Sequence, residues 1–339
     1  MKKRKLILFP LLVAALALAS CKDDDEDSTS YNYVSGEVVF GTMPEYVLAG
    51  EKYNFEASGA YKDDNGPVGY YWVCTPLKTT KDTLRYENDP AGKSTKFSFT
   101  VPPDTLCNIS IVVTAYAKDY VSISSSVSST IVDPTPGTGS IRGIRFDASS
   151  PSFTDPRDGK KYLTTEIGNL IFFRQNLAWE QAGQPYARCK AMTDIYGHYY
   201  SWTEAQTACP EGWRVPSDAD WREIARVYGT DPGEGFIKFE SVAGKMMADA
   251  SFNGKAVWTY WPAVQVTDES LFSAIPTTYA TISNGVYNFK SDKYGLWWTS
   301  DSYEGMGVAR YLYEDNDSLF AGTFSKEDIA APVRCVRNK

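Results

Sequence analysis

The sequence predicts a multidomain protein in which an all-β sandwich precedes an α+β domain. Residues 31–133 contain short segments rich in Val, Ile, Tyr, Phe and Thr, separated by Gly, Pro, Asn and Asp, a pattern typical of sandwiches. Residues 134–140 are rich in Pro and Gly, which is typical of a linker. Residues 141–339 combine two helical segments with a long, loop-rich aromatic segment, which indicates a mixed α+β domain.

The start of the chain is typical of a bacterial signal peptide. A basic segment, residues 2–5, precedes an apolar run, residues 6–18. This run is long enough for a secretory signal and too short for a membrane-spanning helix. It ends in LASC at residues 18–21, which resembles a lipobox, so we expect residues 1–20 to be removed and Cys21 to carry lipid. The alternative is an ordinary signal peptide in which Cys21 is incidental.

An acidic segment follows Cys21 directly. Residues 22–27 have the sequence KDDDED and resemble the surface-export signal of lipoproteins in the Bacteroides group. We therefore expect residues 21–30 to form a lipidated acidic tether that holds the protein on the outer membrane, facing the extracellular side. The alternatives are an anchor that faces the periplasm and a charge run that serves only as a solvated spacer.

Composition excludes several classes of function. The chain has 339 residues and a net charge of −8, and removal of residues 1–20, which hold four basic and no acidic residues, brings this to −12. Nucleic acid needs a basic face and is therefore not an expected partner. His198 is the only histidine, and no cysteine spacing matches a zinc or redox motif. The sequence therefore indicates no enzyme, no catalytic residues and no cofactor.

The first domain is expected to consist of short strands. The predicted strands are residues 37–40, 53–57, 68–74, 95–101, 109–117 and 127–132. In the third, Tyr70, Trp72 and Cys74 share a face because side chains alternate along a strand. This Tyr-x-Trp strand resembles that of Ig-like modules of the PKD kind, which would serve as a spacer or docking module. If the third and fifth strands are antiparallel neighbours, Cys74 and Cys107 come close enough for a disulfide; the alternative is two separately buried thiols.

Long motifs characterise the second domain. They are FTDPRDGKKY at residues 153–162, YGHYYSW at 196–202, ACPEGWRVPSDADW at 208–221, GLWWTS at 295–300 and VRCVR at 333–337. In this order they resemble the Fibrobacter succinogenes major paralogous domain family, and the resemblance covers nearly all of residues 141–339. It implies a fold related to C-type lectin-like domains and no settled activity.

The helices of this domain are predicted from their ends. Residues 201–207 can start a helix that Pro210 ends. Ser217 is a suitable N-cap for a second helix with acidic residues in its first turn. Apolar residues then recur at helical spacing until Gly229, which is a typical helix stop. The later predicted strands are residues 297–299, 309–313 and 333–337.

The cysteines of this domain have different expected roles. The resemblance to C-type lectin-like folds implies a disulfide between Cys209, at the end of the first helix, and Cys335, in the last strand. Cys189 then lacks a pairing partner in the sequence and is expected to be a buried thiol. A nucleophilic pair of Cys189 with His198 is an alternative, which their arbitrary spacing disfavours.

Four aromatic residues are candidates for ligand binding, namely Trp258, Tyr260, Trp261 and Trp298. The first three lie in an expected loop, and Trp298 adjoins an expected strand. Exposed aromatic rings stack on the apolar faces of sugar rings or on peptide chains. The alternative for each of these residues is packing in the core.

The acidic residues Glu314, Asp315 and Asp317 form a weak calcium candidate, because Ca²⁺ prefers clustered carboxylate oxygens. The segment lacks the Glu-Pro-Asn or Gln-Pro-Asp tripeptide of lectin-like domains that bind sugar through calcium. A polar turn between Tyr313 and Leu319 explains these residues equally well. The sequence therefore assigns no metal.

The leading functional hypothesis is non-catalytic binding of glycan or peptide by a cell-surface lipoprotein. Such a protein could be an accessory component of a SusC/SusD-type outer-membrane nutrient-uptake system. The alternative hypothesis is an adhesin, or a structural subunit that docks on an outer-membrane complex. The sequence names neither the ligand nor the partner.

Overall fold

A computed structural model describes residues 31–76, 94–103, 105–145, 149–230, 233, 238–290 and 293–339. The expected signal peptide, Cys21 and the acidic tether lie outside these residues. Within them the chain is a β-rich multidomain protein, as the sequence predicts. No helix in this part of the chain is long and apolar enough to cross a membrane.

The N-terminal domain consists of short strands around one apolar core. Its strands are β1 (Asn32–Tyr33), β2 (Ser35–Val39), β3 (Tyr46–Leu48), β4 (Lys52–Glu56), β5 (Ser58–Tyr61), β6 (Gly69–Pro76), β7 (Lys96–Thr100), β8 (Asn108–Tyr116), β9 (Tyr120–Val121) and β10 (Ile123–Val132). The main sheet has the order β3-β10-β8-β6, and β4 pairs with β7, β2 with β5 and β1 with β9. Each of the predicted strands overlaps an observed one.

Trp72 lies at the centre of this core, fully buried. Its ring stacks on Phe97 at 5.2 Å between centroids. The buried residues of β8 alternate with more exposed ones, because successive side chains of a strand point to opposite faces. The period-two pattern in the sequence therefore predicted correctly which face of this strand is buried.

Cys74 and Cys107 do not form a disulfide, which corrects one expectation. Strands β6 and β8 are antiparallel neighbours as expected, but their register places Cys74 opposite Ile111, four residues beyond Cys107. Both cysteines are buried thiols. Burial raises the pKa of Cys74 to about 12, and the nearby Cys107 adds to the shift.

The C-terminal domain combines short helices with three larger sheets in the part of the chain that the structure describes. Its helices are α1 (Thr193–Tyr196), α2 (Trp202–Ala208), α3 (Asp218–Tyr228) and α4 (Ala243–Met246). Its strands are β11 (Ile141–Arg142), β12 (Ser152–Thr154), β13 (Lys161–Ile167), β14 (Leu170–Phe173), β15 (Gln184–Pro185), β16 (His198–Ser201), β17 (Phe239–Glu240), β18 (Ser251–Phe252), β19 (Lys255–Ala256), β20 (Ala280–Ser283), β21 (Val286–Phe289), β22 (Tyr294–Tyr303), β23 (Met306–Tyr313), β24 (Ser318–Phe324), β25 (Ile329–Ala331) and β26 (Val336–Asn338).

The larger sheets have the strand orders β12-β13-β14-β26, β15-β16-β25-β20-β21 and β17-β24-β23-β22, and a smaller one has the order β11-β18-β19. The expected strand at residues 333–337 is shorter and shifted, since β26 begins only at Val336. The other two expected strands lie within β22 and β23.

Both predicted helices begin at serine caps. Ser201 caps α2 in a reciprocal arrangement with Glu204, and Ser217 caps α3 in the same way with Asp220. Such caps satisfy backbone N–H groups that a helix leaves without intrahelical partners. The local sequence therefore determines where these helices begin.

A disulfide joins Cys209 to Cys335, the pairing that the family resemblance implies. Their Cα atoms lie 5.8 Å apart, within the usual range for a disulfide. The bond connects the C-terminal end of α2 to the segment before β26. It therefore links α2 to the C-terminal segment of the chain.

Residues 134–140 connect the domains as a closed turn rather than as an extended spacer. The backbone N–H of Ser140 donates to the Asp133 carbonyl at 2.7 Å, and the Asp133 N–H donates back to the Ser140 hydroxyl at 2.9 Å. Across the junction, the Asn253 side chain donates to the Ile131 carbonyl at 2.8 Å. The two domains therefore make direct contacts at this turn.

An apolar cluster supports the junction. Tyr46 of the N-terminal domain contacts Tyr186 and Phe252 of the C-terminal domain, at 5.8 and 6.5 Å between ring centroids. Val132 and Cys189 are buried in the same cluster. Burial of this kind stabilises an interface in proportion to the apolar area removed from water, so we expect the domains to be held in one orientation.

Candidate functional site

An open groove of about 560 Å³ lies against the sheet of β22, β23 and β24. We call it the tyrosine groove. It is lined by Tyr279, Lys293, Tyr294, Leu296, Tyr311, Tyr313, Glu314, Asp315 and Phe324. Aromatic rings thus form much of the groove, and charged side chains lie beside them.

Strand register brings the tyrosines together. Tyr294 of β22 lies directly opposite Tyr313 of β23, with ring centroids 5.7 Å apart. Tyr311 shares a face with Tyr313 because the two are separated by one residue in the strand, and their centroids are 5.5 Å apart. On the other side Tyr311 pairs with Phe320 of β24, and their rings stack at 5.5 Å.

Gly322 provides room for this packing. A Cβ at this position would lie 3.1 Å from both the Tyr311 and the Phe324 ring, which is closer than ordinary van der Waals contact. The absence of a side chain therefore lets both rings lie close to the β24 backbone. A larger residue at Gly322 would displace one wall of the groove.

The groove presents polar groups as well as ring faces. Burial raises the pKa of Tyr311, and the neighbouring Tyr313 adds to the shift, so the Tyr311 hydroxyl stays protonated at neutral pH. A protonated phenol both donates and accepts hydrogen bonds. With Glu314, Asp315 and Lys293 at the rim, the groove can bind hydroxyl-rich ligands through rings and hydrogen bonds together.

The loop of residues 259–261 is attached to the rim of the groove. The Thr259 backbone N–H donates to Glu314 Oε2 at 3.1 Å, and Lys293 Nζ donates to Thr259 Oγ1 at 2.9 Å. Tyr260 is 84% exposed and Trp261 is 41% exposed. The structure therefore places two of the predicted binding residues in solvent, next to an aromatic site that the sequence did not identify.

Trp298 is a core residue, which corrects its expected role in ligand binding, and Trp258 is largely buried. Trp258 is 5% exposed and Trp298 is fully buried. The Trp258 indole N–H donates to the Ala274 carbonyl at 2.9 Å, and that of Trp298 donates to the Tyr200 carbonyl at 2.8 Å. An indole in the core needs such a partner for its N–H. Trp298 has no exposed surface, whereas the small exposed part of Trp258 lies, with Tyr260, in the lining of an open pocket of about 340 Å³.

The weak calcium candidate is also corrected. Among the residues that the structure describes, no group of three or more His, Cys, Asp or Glu is arranged to hold a metal ion. Asp317 instead accepts from the Gly244 backbone N–H at 2.8 Å, and Glu314 binds the 259–261 loop. Asp315 lines the tyrosine groove. Asp317 is therefore directed away from Glu314 and Asp315, which both line the tyrosine groove.

Cys189 and His198 have separate partners. The Cys189 thiol donates to the Ala187 carbonyl at 3.3 Å, and burial raises its pKa, which reduces the thiolate fraction. His198 Nδ1 lies 3.0 Å from the Ala182 carbonyl, and Nε2 lies 3.4 Å from the Thr193 hydroxyl. Burial lowers the pKa of His198. Each side chain is satisfied by its own local contacts.

Sequence reasoning missed the main tyrosines of the groove. The one local signal was the alternation of Tyr311 and Tyr313 in a predicted strand, which places both rings on one face. Tyr294 joins them only through the register of β22 with β23. A sequence without its strand pairing does not reveal such a cluster.

The comparisons with known proteins identify one family. The model of the Fibrobacter succinogenes major domain matches residues 154–337, which is more than half of the chain. Neither a curated protein nor a solved structure matches. The matched range contains β22, β23 and β24, so the tyrosine groove lies within the domain that defines the family.

Proposed function

The chain belongs to the Fibrobacter succinogenes major domain family, and from this premise we propose that it binds glycan chains without catalysis through the tyrosine groove. One observation carries the proposal, namely the cluster of Tyr294, Tyr311 and Tyr313 beside charged rim residues. Sugar rings have apolar faces that stack on aromatic rings, and hydroxyl groups that bind carboxylates and ammonium groups. A peptide ligand is the competing outcome of the test below.

We also propose finer folds for the two domains. The N-terminal domain would be an Ig-like sandwich of the PKD kind, a reading supported by the strand that buries Trp72. The C-terminal domain would be C-type-lectin-like, a reading supported by the bond from the end of α2 to the last segment. In this arrangement the first domain is a stalk and the second carries the binding site.

The proposed location is the extracellular face of the outer membrane, with lipid on Cys21 as the attachment. This rests on the lipobox-like LASC sequence and the acidic residues after it. In that position the protein would present glycan to a SusC/SusD-type transporter as an accessory subunit.

A second candidate function is docking on an outer-membrane complex as an adhesin or structural subunit. The observation in its favour is the exposure of Tyr31 and Tyr33, 66% and 59% respectively, near the end of the expected tether. Exposed aromatic side chains are enriched at protein interfaces. This candidate uses the N-terminal domain, so it predicts binding to a membrane protein that survives loss of the tyrosine groove.

Replacing Tyr313 by alanine is expected to weaken glycan binding by about fivefold or more, as for other aromatic anchors of interfaces. Tyr313 is partly exposed at the groove, so its ring can be removed with little effect on the core. A glycan and peptide array of the two-domain protein, followed by calorimetry on the strongest ligand, measures the effect.

The matched control for this experiment is Tyr303→Ala. Tyr303 is 50% exposed on the same hairpin, but it is not part of the groove lining. An equal loss of affinity in both variants would contradict the proposed site. Binding to peptides alone would replace glycan by peptide as the ligand, and an array without any signal would favour the docking function.

Replacing Cys21 by alanine is expected to release the protein from the membrane in soluble, folded form, because lipid on this residue is the proposed attachment. Fractionation of cells that express the wild-type or the C21A chain measures this. Protease treatment of intact cells distinguishes an extracellular position from a periplasmic one. A C21A protein that stayed in washed membranes without a partner protein would contradict the proposed anchor.

A further inference from the structure

A second cleft lies next to the tyrosine groove, near the domain junction. It has a volume of about 230 Å³. Its lining is aromatic and basic and consists of Tyr186, Tyr196, Phe252, Lys255, Ala256, Val257, Pro276, Thr278, Lys290 and Lys293. We call it the lysine cleft. Among the residues that the structure describes, neither an aspartate nor a glutamate lines this cleft.

Packed rings form one wall of the lysine cleft. Tyr186 and Tyr196 lie 5.2 Å apart between ring centroids, and Tyr196 lies 5.9 Å from Phe252. Tyr46 of the N-terminal domain contacts both Tyr186 and Phe252 from the junction. These contacts hold the rings in place before any ligand binds, which reduces the entropy lost on binding.

The lysines of the cleft have no ion-pair partner in the described part of the chain, although Lys293 also lines the tyrosine groove with Glu314 and Asp315. Lys255, Lys290 and Lys293 form no ion pair in that part of the chain, and Lys293 donates to the neutral Thr259 hydroxyl. Other lysines of this domain do pair, as Lys160 does with Glu180 at 3.2 Å. Three lysines around one cleft give it a positive local potential, which favours an anionic group in the cleft.

This concentration of positive charge contrasts with the rest of the molecule. The chain has a net charge of −8, so its overall field repels anions at long range. Attraction of an anion to the lysine cleft therefore depends on local contacts. A site of this kind favours ligands that carry both a charged group and an apolar surface for the rings.

The lysine cleft adjoins the tyrosine groove. Lys293 lines both of them. Thr278 of the cleft is followed by Tyr279 of the groove, and the Thr278 N–H donates to the Tyr294 carbonyl at 2.7 Å. A single extended ligand can therefore contact the groove tyrosines and the cleft lysines together.

We propose that the ligand is an anionic oligosaccharide, with a carboxylate or sulfate group in the lysine cleft and neighbouring sugar rings in the tyrosine groove. This inference rests on the proposed function and narrows it to one class of glycan. Both alternatives place an anionic group on a sugar ring. A uronic acid supplies it as a carboxylate, and a sulfate ester supplies it as a sulfate.

The probes are an oligogalacturonate hexasaccharide and a sulfated galactan hexasaccharide, each compared with its neutral form, methyl-esterified or desulfated. Calorimetry with the two-domain protein is expected to show at least one charged probe binding about tenfold or more tighter than its neutral form. Raising the salt from about 50 to about 500 mM is expected to reduce this preference, because ions screen charges at the protein surface. The comparison of the two charged probes identifies the anion.

Lys255→Gln and Lys290→Gln are each expected to weaken binding of the charged probe by about threefold, the scale of one partly exposed charge pair. Lys255→Arg and Lys290→Arg are expected to retain most of the affinity because they keep the charge. The matched control is Lys161→Gln, which removes one charge from an exposed position that lines neither the cleft nor the groove.

The outcomes separate this inference from the proposed function. Equal binding of charged and neutral probes, with a loss in Tyr313→Ala, would overturn the anionic class and leave glycan binding intact. An equal effect of Lys161→Gln and Lys290→Gln would also overturn it, because net charge rather than the cleft would then explain the preference. Failure of both charged probes to bind overturns it as well, and the array then decides the proposed function by itself.

Discussion

Loss of the Cys209–Cys335 disulfide is expected to lower the free energy of unfolding by about 5 kcal/mol in the chain-entropy description. The two cysteines are 126 residues apart in the sequence, so the bond closes a long loop and restricts the unfolded chain strongly. Cys335 also packs in the core with Leu296 and Ala309, which lie on the strands beneath the tyrosine groove. We therefore expect the loss to weaken ligand binding as well.

The double variant Cys209→Ala/Cys335→Ala tests this, with urea unfolding followed by tryptophan fluorescence. The control is Cys189→Ala, which removes a buried thiol that is in no disulfide. The expected result is a much lower unfolding midpoint for the double variant and a small decrease for the control. Equal midpoints for the double variant and the wild type would show that the disulfide does not stabilise the folded chain.

Replacing Arg334 by alanine is expected to cost about 3–5 kcal/mol of stability, the scale for loss of one member of a buried charged network. Arg334 is almost fully buried. Its Nε donates to Asn176 Oδ1 at 2.9 Å, and its Nη2 donates to the Ser273 carbonyl at 3.1 Å. It also donates to the Phe272 carbonyl. Removal of the guanidinium would leave these acceptors buried without this donor.

The Arg334 guanidinium also stacks on neighbouring rings. It lies 4.3 Å from the Phe272 centroid and 5.7 Å from that of Trp297. Burial lowers the pKa of Arg334 to about 9, and the Asp268 carboxylate opposes this shift, so the group remains charged at neutral pH. The guanidinium is planar and has several fixed N–H donors, so it can stack on these rings and donate to several acceptors at once. The ammonium group of lysine cannot do both.

Thermal and urea unfolding of Arg334→Ala and Arg334→Lys measure the effect, with Arg337→Ala as the control. Arg337 is exposed in the same motif and stacks on Trp213 at 4.9 Å. We expect both Arg334 variants to be strongly destabilised and the control to be nearly unaffected. If Arg334→Lys were as stable as the wild type, charge alone rather than the guanidinium geometry would explain the role of Arg334.

The difference between Trp258 and Trp261 shows where sequence reasoning fails. Both lie in one short aromatic segment, so composition and spacing do not distinguish them. In the folded chain Trp258 packs in the core, whereas Trp261 is partly exposed. The distinction depends on which residues of distant segments, such as Ala274, lie beneath the loop.

The two predicted cysteine pairs also show what cannot be predicted from the sequence alone. Resemblance to a family was sufficient to pair Cys209 with Cys335, because the motifs around both residues match that family. Cys74 and Cys107 had only a strand-pairing argument. That argument was right about the neighbouring strands and wrong about the disulfide, because the sequence does not specify the register within four residues.

The sequence by itself determined the β-rich, multidomain character of the chain, the capped starts of α2 and α3 and the buried face of β8. It also determined the family, through the motifs of the second domain. These features depend on residues close together in the chain, whose alternation, helical spacing and capping are local properties. Only the tertiary structure decided which aromatic rings form the groove and which lysines surround the adjoining cleft. Those groups come from separate strands and loops, and strand register and packing bring them together.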